Sequence, residues 1–257
     1  MKRRHLIRYT GAGLLAAVGS NWLAGQQTWQ AQTAGLTVKY LGHTCFLFTG
    51  GGLRVLVNPF RPLGCTAGYR SPQVETDVLL ISSQLLDEGA ADEVPGRPEI
   101  LFRTGEYVFD NTRFEGIGIA HDRNGGRRFG TNVAWMWQQG GIKILHMGGA
   151  AAPIDIEQKI LIGRPDIAFV PVGGGVKAYN PQEALQAINS LNPKIVIPTQ
   201  YRTSAADENA CDIVSVEEFL QLTTGVSVQR LGGDTITIRP GDLPQEGPVI
   251  RVLSYNF

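Results

Sequence analysis

Short apolar runs divide the first half of the chain in the manner of β-strands. Residues 36–41, 45–49 and 53–58 predict three strands, and a triple glycine between the last two predicts a hairpin turn. The run DVLLIS at residues 77–82 is almost entirely apolar, which is typical of a strand that is buried on both faces. Further strands are predicted between residues 100 and 147.

The second half of the chain alternates between strands and helices. Apolar runs at residues 167–172 and 195–197 predict buried strands. A helix is predicted between them because Asn180 suits an N-cap, Pro181 suits the first helical position, and apolar side chains recur on one face. Another helix is expected to begin at Ser215. Many strands followed by a β-α-β-α order predict an α/β fold with two sheets flanked by helices.

The composition limits the classes of protein to which the chain can belong. Hydrophobic residues make up 43% of the 257 residues, which excludes a disordered chain, and the length suits one substantial domain. The 23 basic and 23 acidic side chains cancel, so there is no net charge to attract nucleic acid or an anionic membrane. Aromatic residues interleaved with basic ones, which binding of single-stranded nucleic acid requires, are not apparent. We therefore expect no nucleic-acid partner.

The first 34 residues are interpreted as a targeting segment. A basic start precedes a mildly apolar stretch of about 15 residues, which is short for a membrane-spanning helix. Arg3-Arg4, followed after one residue by two apolar residues, resembles the twin-arginine export motif, and the alternatives are a Sec-type signal or an uncleaved anchor. We therefore expect an export signal or anchor in residues 1–34, with any membrane contact through this segment alone, and one domain in residues 35–257. The expected location is the periplasm, or the thylakoid lumen if the source is photosynthetic.

Export would place the cysteines in an oxidising compartment, where disulfides form. The chain has three cysteines, so at least one thiol stays unpaired. Cys45 lies inside an apolar run and is expected to be buried. Cys65 and Cys211 are the pair considered for a disulfide, although their spacing does not decide it.

Five sequence motifs occur in an order that is known from one family of folds. They are LGHTCF at residues 41–46, VLVNPF at 55–60, GIKILHMGG at 141–149, PDIAFVPVGG at 165–174 and PKIVIPTQY at 193–201. Together they resemble the metallo-β-lactamase superfamily and, within it, the metal-dependent hydrolases that are similar to L-ascorbate-6-phosphate lactonases. The resemblance extends from about Leu36 to Thr203. It implies an α/β protein with a four-layer αββα sandwich.

The resemblance also implies a hydrolytic metal site. Family members hold one or two divalent ions, usually zinc, through histidines and carboxylates, and the ions activate a bound water as the nucleophile. The ligands come from an HxHxDH loop after a buried strand, a later histidine, an aspartate and a final histidine. His43 and His146 match family positions that are not usually direct ligands, and His43 is interpreted as a packing residue near the site.

Several ligand positions hold other residues in this chain. Ser83, Leu85 and Glu88 stand at the three histidine positions of the loop, Gly149 at the bridging aspartate and Gln200 at the final histidine. Asp87 and His121 keep the expected ligand type. The candidate residues for a ligand pocket are Ser83, Asp87, Glu88, His121, His146, Gln200, Tyr201, Arg123 and Arg202. The two arginines of this set predict binding of a small anion at the cleft mouth.

These departures favour a pseudoenzyme: a non-catalytic binding or assembly protein without a cofactor, whose partner is an unidentified protein or a small anionic ligand. The alternative is a metal-dependent hydrolase of lactonase or phosphoester type. In that case an altered or single-metal site would hold zinc, manganese or iron, with Asp87 and His121 as its residual ligands.

Overall fold

The computed structural model describes residues 35–257, which form two mixed β-sheets and three α-helices. The strands are β1 (Leu36–Gly42), β2 (Cys45–Gly50), β3 (Leu53–Val57), β4 (Val78–Leu80), β5 (Glu99–Leu101), β6 (Gly105–Phe109), β7 (Thr112–Ala120), β8 (Thr131–Gln139), β9 (Ile142–His146), β10 (Ile167–Pro171), β11 (Ile195–Thr199), β12 (Ser227–Arg230), β13 (Thr235–Ile238) and β14 (Val249–Val252). The helices are α1 (Ile156–Ile162), α2 (Pro181–Leu191) and α3 (Val216–Gln221). Within this part of the chain, no helix is both long and apolar enough to cross a membrane. The predicted export segment lies outside the described residues, so it has no support from the structure.

Each sheet changes from antiparallel to parallel pairing. The first sheet has the order β13-β1-β2-β3-β4-β5, and its pairing is parallel from β3 to β5. The second has the order β12-β14-β11-β10-β9-β8-β7-β6. Its five strands β12, β14, β11, β10 and β9 are paired in parallel. Parallel strands need crossover connections, and α2 supplies one between β10 and β11. This confirms the predicted α/β arrangement of two sheets.

The main core lies between the two sheets and is rich in aromatic rings. Phe169 of β10 meets Phe46 and Phe48 of β2 edge to face, with ring centroids 4.8 and 5.0 Å apart. Phe48 also meets Trp137 of β8 at 4.9 Å. Edge-to-face pairs of this kind add to the free energy of burying the rings. The packed rings therefore fix the position of one sheet relative to the other. They thereby also fix the positions of the loops that follow the strands.

The outer faces of the two sheets are covered differently. On the second sheet, α2 begins at the N-cap Asn180, whose side chain accepts the backbone N–H of Glu183 at 2.8 Å, and it buries Ala184, Ile188 and Leu191. On the first sheet, the described cover is loop structure, with side chains such as Phe60 and Tyr69 packed on the strands. The layer order is thus that of the predicted sandwich, with loops in place of one helical layer.

A disulfide ties this loop layer to the second half of the chain. Cys65, between β3 and β4, is bonded to Cys211, between β11 and α3, as the sequence allowed. Cys45 is buried and has a free thiol. The disulfide holds two distant loops together beside the edge of the sandwich where the candidate residues gather.

Candidate metal centre

Loops that follow four strands bring polar side chains to one edge of the sandwich. His43 follows β1, Asp87 and Glu88 lie in the loop after β4, His121 follows β7, and Gln200 follows β11. In α/β folds, ligands characteristically bind beyond the carboxyl ends of the strands. This edge is therefore where a functional site is expected.

Three of these side chains form a group that could hold a metal ion. One ligand atom from each of His43, Asp87 and Glu88 lies within 4.8 Å of the other two. One imidazole and two carboxylates are suitable ligands for zinc or another divalent transition metal. Three protein ligands are also the number typical of catalytic zinc sites, which leave a position for water.

Unpaired buried atoms show that the residues present fit a cation. Both ring nitrogens of His43, Oε2 of Glu88, Nε2 of His121 and Oε1 of Gln200 are buried without a hydrogen-bond partner among the described residues. Buried polar atoms in folded proteins nearly always have a partner, and a buried unpaired charge is costly. A divalent ion in the group of His43, Asp87 and Glu88 would satisfy the imidazole and the carboxylate together.

Burial sets the protonation of the two deepest members of this group. It lowers the pKa of His43 to about 4, so the ring is neutral near pH 7 and has a lone pair available for a metal ion. Burial also raises the pKa of the Glu88 carboxyl. Gln200 Nε2 donates to Glu88 Oε1 at 2.8 Å, and His121 Nε2 lies 3.7 Å from Glu88 Oε2.

Asp87 occupies the more accessible side of the group, where it forms an ion pair with the Lys177 ammonium. Burial alone would raise the pKa of Asp87, but the Lys177 charge, with a contribution from His43, lowers it overall. A pocket of about 140 Å³ reaches this pair and is also lined by His43, Gln200 and Cys65 of the disulfide. Solvent and a small ligand could therefore reach the cluster from this side.

The backbone beside the cluster adopts the left-handed conformation at two residues that rarely take it. His43 has φ 55° and Gln200 has φ 50°, and the Gln200 N–H donates to the His43 carbonyl at 3.2 Å. The other described non-glycine residues with positive φ are three asparagines and one aspartate, residue types that are enriched in this region. Such conformations cluster at functional sites, where the surrounding structure maintains them.

The side chains of Glu88 and His121 fill the space beside Gly149. A Cβ atom at Gly149 would lie 2.7 Å from Glu88 Oε1 and would collide with the His121 ring. An aspartate therefore cannot be accommodated there without movement of both neighbours. The His121 Nδ1 atom instead contacts the Gly149 carbonyl.

Two further predicted residues pack away from the cluster. His146 is buried between the Thr44 carbonyl, 3.1 Å from its Nε2, and the Gly148 N–H, 3.2 Å from its Nδ1. Tyr201 is also buried, and its hydroxyl donates to the Leu253 carbonyl at 3.2 Å. The polar atoms of both side chains are therefore hydrogen-bonded to backbone groups.

The remaining candidates lie outside the pocket that reaches Asp87. Ser83 lines a separate groove, and its Oγ accepts the Leu85 N–H at 3.3 Å. Arg123 is engaged by the Glu183 carboxylate, with nitrogen–oxygen distances of 2.8 and 2.7 Å, and by two backbone carbonyls. Arg202 is exposed and does not line the pocket. The structure does not bring the two arginines together with the cluster.

Comparison with known proteins identifies the class. A model of the beta-lactamase superfamily domain matches residues 37–200. A UPF0173 metal-dependent hydrolase of Thermococcus onnurineus is 26% identical over 239 residues, which cover 80% of this chain and 97% of that protein. One from Thermus thermophilus is 27% identical over 191 residues, covering 65% of this chain and 84% of that protein. A Thermotoga maritima structure, assigned as a candidate Zn-dependent hydrolase of the metallo-β-lactamase superfamily, has a TM-score of 0.67 and 27% identity, and the match covers 85% of this chain and 98% of that one.

The chain therefore belongs to the metallo-β-lactamase superfamily, and the predicted fold class is confirmed. The prediction of a non-catalytic pseudoenzyme without a cofactor is wrong, because the relatives are named metal-dependent hydrolases and a His-Asp-Glu group is present. The error arose because His43 was interpreted as a packing residue, whereas its ring lies beside the Asp87 and Glu88 carboxylates. The comparisons and this group together indicate a divalent metal.

The sequence interpretation missed the roles of two residues. His43 was expected to pack structurally, although it lies in one of the matched motifs and follows a glycine at a strand end. Lys177 was not considered at all, because it lies 90 residues from Asp87 along the chain. No local sequence pattern indicates that contact.

Proposed function

We propose that the protein is a metal-dependent hydrolase whose divalent ion is held by His43, Asp87 and Glu88. The observation that carries this proposal is the group of three ligand atoms, in which the buried side chains of His43 and Glu88 have polar atoms without partners in the described part of the chain. The names of the related proteins support hydrolysis as the reaction. When bound, a divalent ion lowers the pKa of a coordinated water and polarises a carbonyl or phosphoryl oxygen.

His121 is placed to exchange a proton beside this group. Its Nδ1 faces the Gly149 carbonyl, which can only accept a hydrogen bond, so Nδ1 carries the proton. In the neutral ring, Nε2 then has a free lone pair, and it lies 3.7 Å from Glu88 Oε2. We assign His121 the role of a proton acceptor or an additional ligand at the buried side of the cluster.

The pocket that reaches Asp87 suits a small polar substrate group. Its volume is about 140 Å³, and its charged side chains are the Lys177 ammonium and the carboxylates of Asp87 and Asp212. The five motifs resemble those of lactonase-like enzymes, so lactones and phosphoesters are the substrate classes to test first.

The test is metal analysis and hydrolysis by the full-length protein. We expect purified protein loaded with Zn²⁺ or Mn²⁺ to retain metal after gel filtration and to hydrolyse at least one member of a lactone and phosphoester panel. Glu88→Gln should lower metal affinity by more than the about 10–100-fold that loss of a residue supporting a ligand costs. Glu99→Gln, an exposed carboxylate on β5, is the matched control and should retain both properties. If the unmodified protein neither retains metal nor hydrolyses any panel member, the proposal is refuted.

A further inference from the structure

Lys177 places a fixed positive charge inside the candidate metal centre. Its ammonium contacts Asp87 Oδ2, and both side chains are largely buried, with 21% and 19% of their surfaces exposed. The pocket that reaches this pair is also lined by His43 and Gln200. The lysine is therefore part of the cluster and not a surface residue that happens to lie nearby.

The rest of the cluster provides ligands for one ion. His43 and Glu88 lie close to Asp87, but Ser83 faces a different groove, Leu85 has no donor atom, and Gly149 has no side chain. The space that a side chain at Gly149 would need is filled by the His121 ring and Glu88. A second ion would therefore lack ligands on that side.

We propose that the Lys177 ammonium supplies the second positive charge of this centre and limits it to a single divalent ion. This inference rests on the proposed function. A carboxylate has two oxygens, so Asp87 can accept the ammonium at Oδ2 and leave Oδ1 for the ion. A positive charge held this close opposes a second divalent cation, because Coulomb repulsion is strong in a partly buried site. It also competes with the first ion for the negative charge of Asp87.

The experiment is a titration of the metal-free, full-length protein with Mn²⁺, in which the free ion is followed by electron paramagnetic resonance. We expect the unmodified protein to bind one Mn²⁺ per chain. Lys177→Met should bind Mn²⁺ at least about tenfold more tightly, because the competing charge is gone. Lys177→Arg keeps the charge and should stay within about threefold of the unmodified protein.

Lys194→Met is the matched control. Lys194 pairs with Asp166 at 2.9 Å and has 33% of its side-chain surface exposed, but it does not line the pocket. Its replacement should leave Mn²⁺ affinity unchanged. Two ions per chain in the unmodified protein, or equal or weaker binding by folded Lys177→Met, would overturn the inference while leaving a metal-dependent hydrolase in place. Binding of no ion at all would instead refute the proposed function and this inference with it. If Lys177→Met does not fold, Lys177→Gln replaces it in the same titration, with the same expected gain in affinity and the same overturning result.

Discussion

His43 and His146 are both buried histidines at strand ends, but the fold uses their ring nitrogens differently. The His146 ring stacks on Phe169 at a centroid distance of 5.5 Å, and both of its nitrogens have backbone partners. Neither nitrogen of His43 has a partner among the described residues, and two carboxylates lie beside it. Both histidines are thus buried, but of the two only His43 has ring nitrogens without a hydrogen-bond partner within the described residues.

The difference teaches which property points to function in this protein. A buried, fully bonded histidine contributes to packing and stability. A buried histidine with two free nitrogens costs stability unless something else binds them. On this reasoning His43 binds a ligand, whereas His146 stabilises the fold. This difference can be tested in three ways.

The largest expected effect is on metal affinity. His43→Ala should weaken Zn²⁺ or Mn²⁺ binding by more than about 100-fold, because it removes a direct ligand and not only a supporting residue. His146→Ala should leave the affinity of the folded protein within about threefold, because its ring is not part of the ligand group. Isothermal titration of the metal-free proteins measures both. Equal losses in the two variants would remove the distinction between the histidines.

The next effect is on stability without metal. His146→Ala should lower the free energy of unfolding by about 2–4 kcal/mol, because it leaves a cavity beside Phe169 and two unpaired backbone groups. His43→Ala should change it by less than about 1 kcal/mol, because the lost packing is offset by removal of unpaired polar atoms. Urea unfolding of the metal-free proteins gives both values. A larger loss for His43→Ala would show that packing is its main role.

The effect that is smallest per step of the measurement is the pH dependence of stability, at no more than about 1.4 kcal/mol per pH unit. Burial lowers the pKa of His146 from 6.5 to about 3, so the folded protein favours the neutral ring. The free energy of unfolding that depends on the neutral His146 ring is fully present above pH 6.5. It is lost as pH falls through 6.5 towards 3, by at most about 1.4 kcal/mol per pH unit, because the unfolded chain binds the proton more readily.

His146→Phe should therefore lose stability less steeply than the unmodified protein between pH 6.5 and pH 4. Urea unfolding of the metal-free proteins at several pH values compares the slopes. The carboxylates contribute equally to both proteins, so the difference isolates the histidine. Parallel slopes would contradict this assignment.

Much of the site could be located from the sequence, and the reason is its position at strand ends. Asp87 and Glu88 follow a strongly apolar strand, and Gln200 lies near the end of the last matched motif. The structure brings these three residues together with His121. The arginines were predicted to face the cleft because they lie near these motifs, but Arg123 is paired with Glu183 at the start of α2. Proximity along the chain did not indicate which carboxylate the guanidinium would meet.

The sequence by itself determined the two sheets, the class of fold and the loops that carry the candidate residues. The apolar runs predict which segments are buried strands, and the resemblance of five motifs to one family implied the class of fold. The tertiary structure alone decided that neither His43 nitrogen has a partner within residues 35–257, that Lys177 pairs with Asp87, and that Glu88 and His121 fill the space beside Gly149. These features depend on contacts between loops far apart in the chain and on a left-handed backbone at His43. Whether a buried polar atom has a partner is a property of the assembled fold, and in this protein that property separates a packing histidine from a candidate metal ligand.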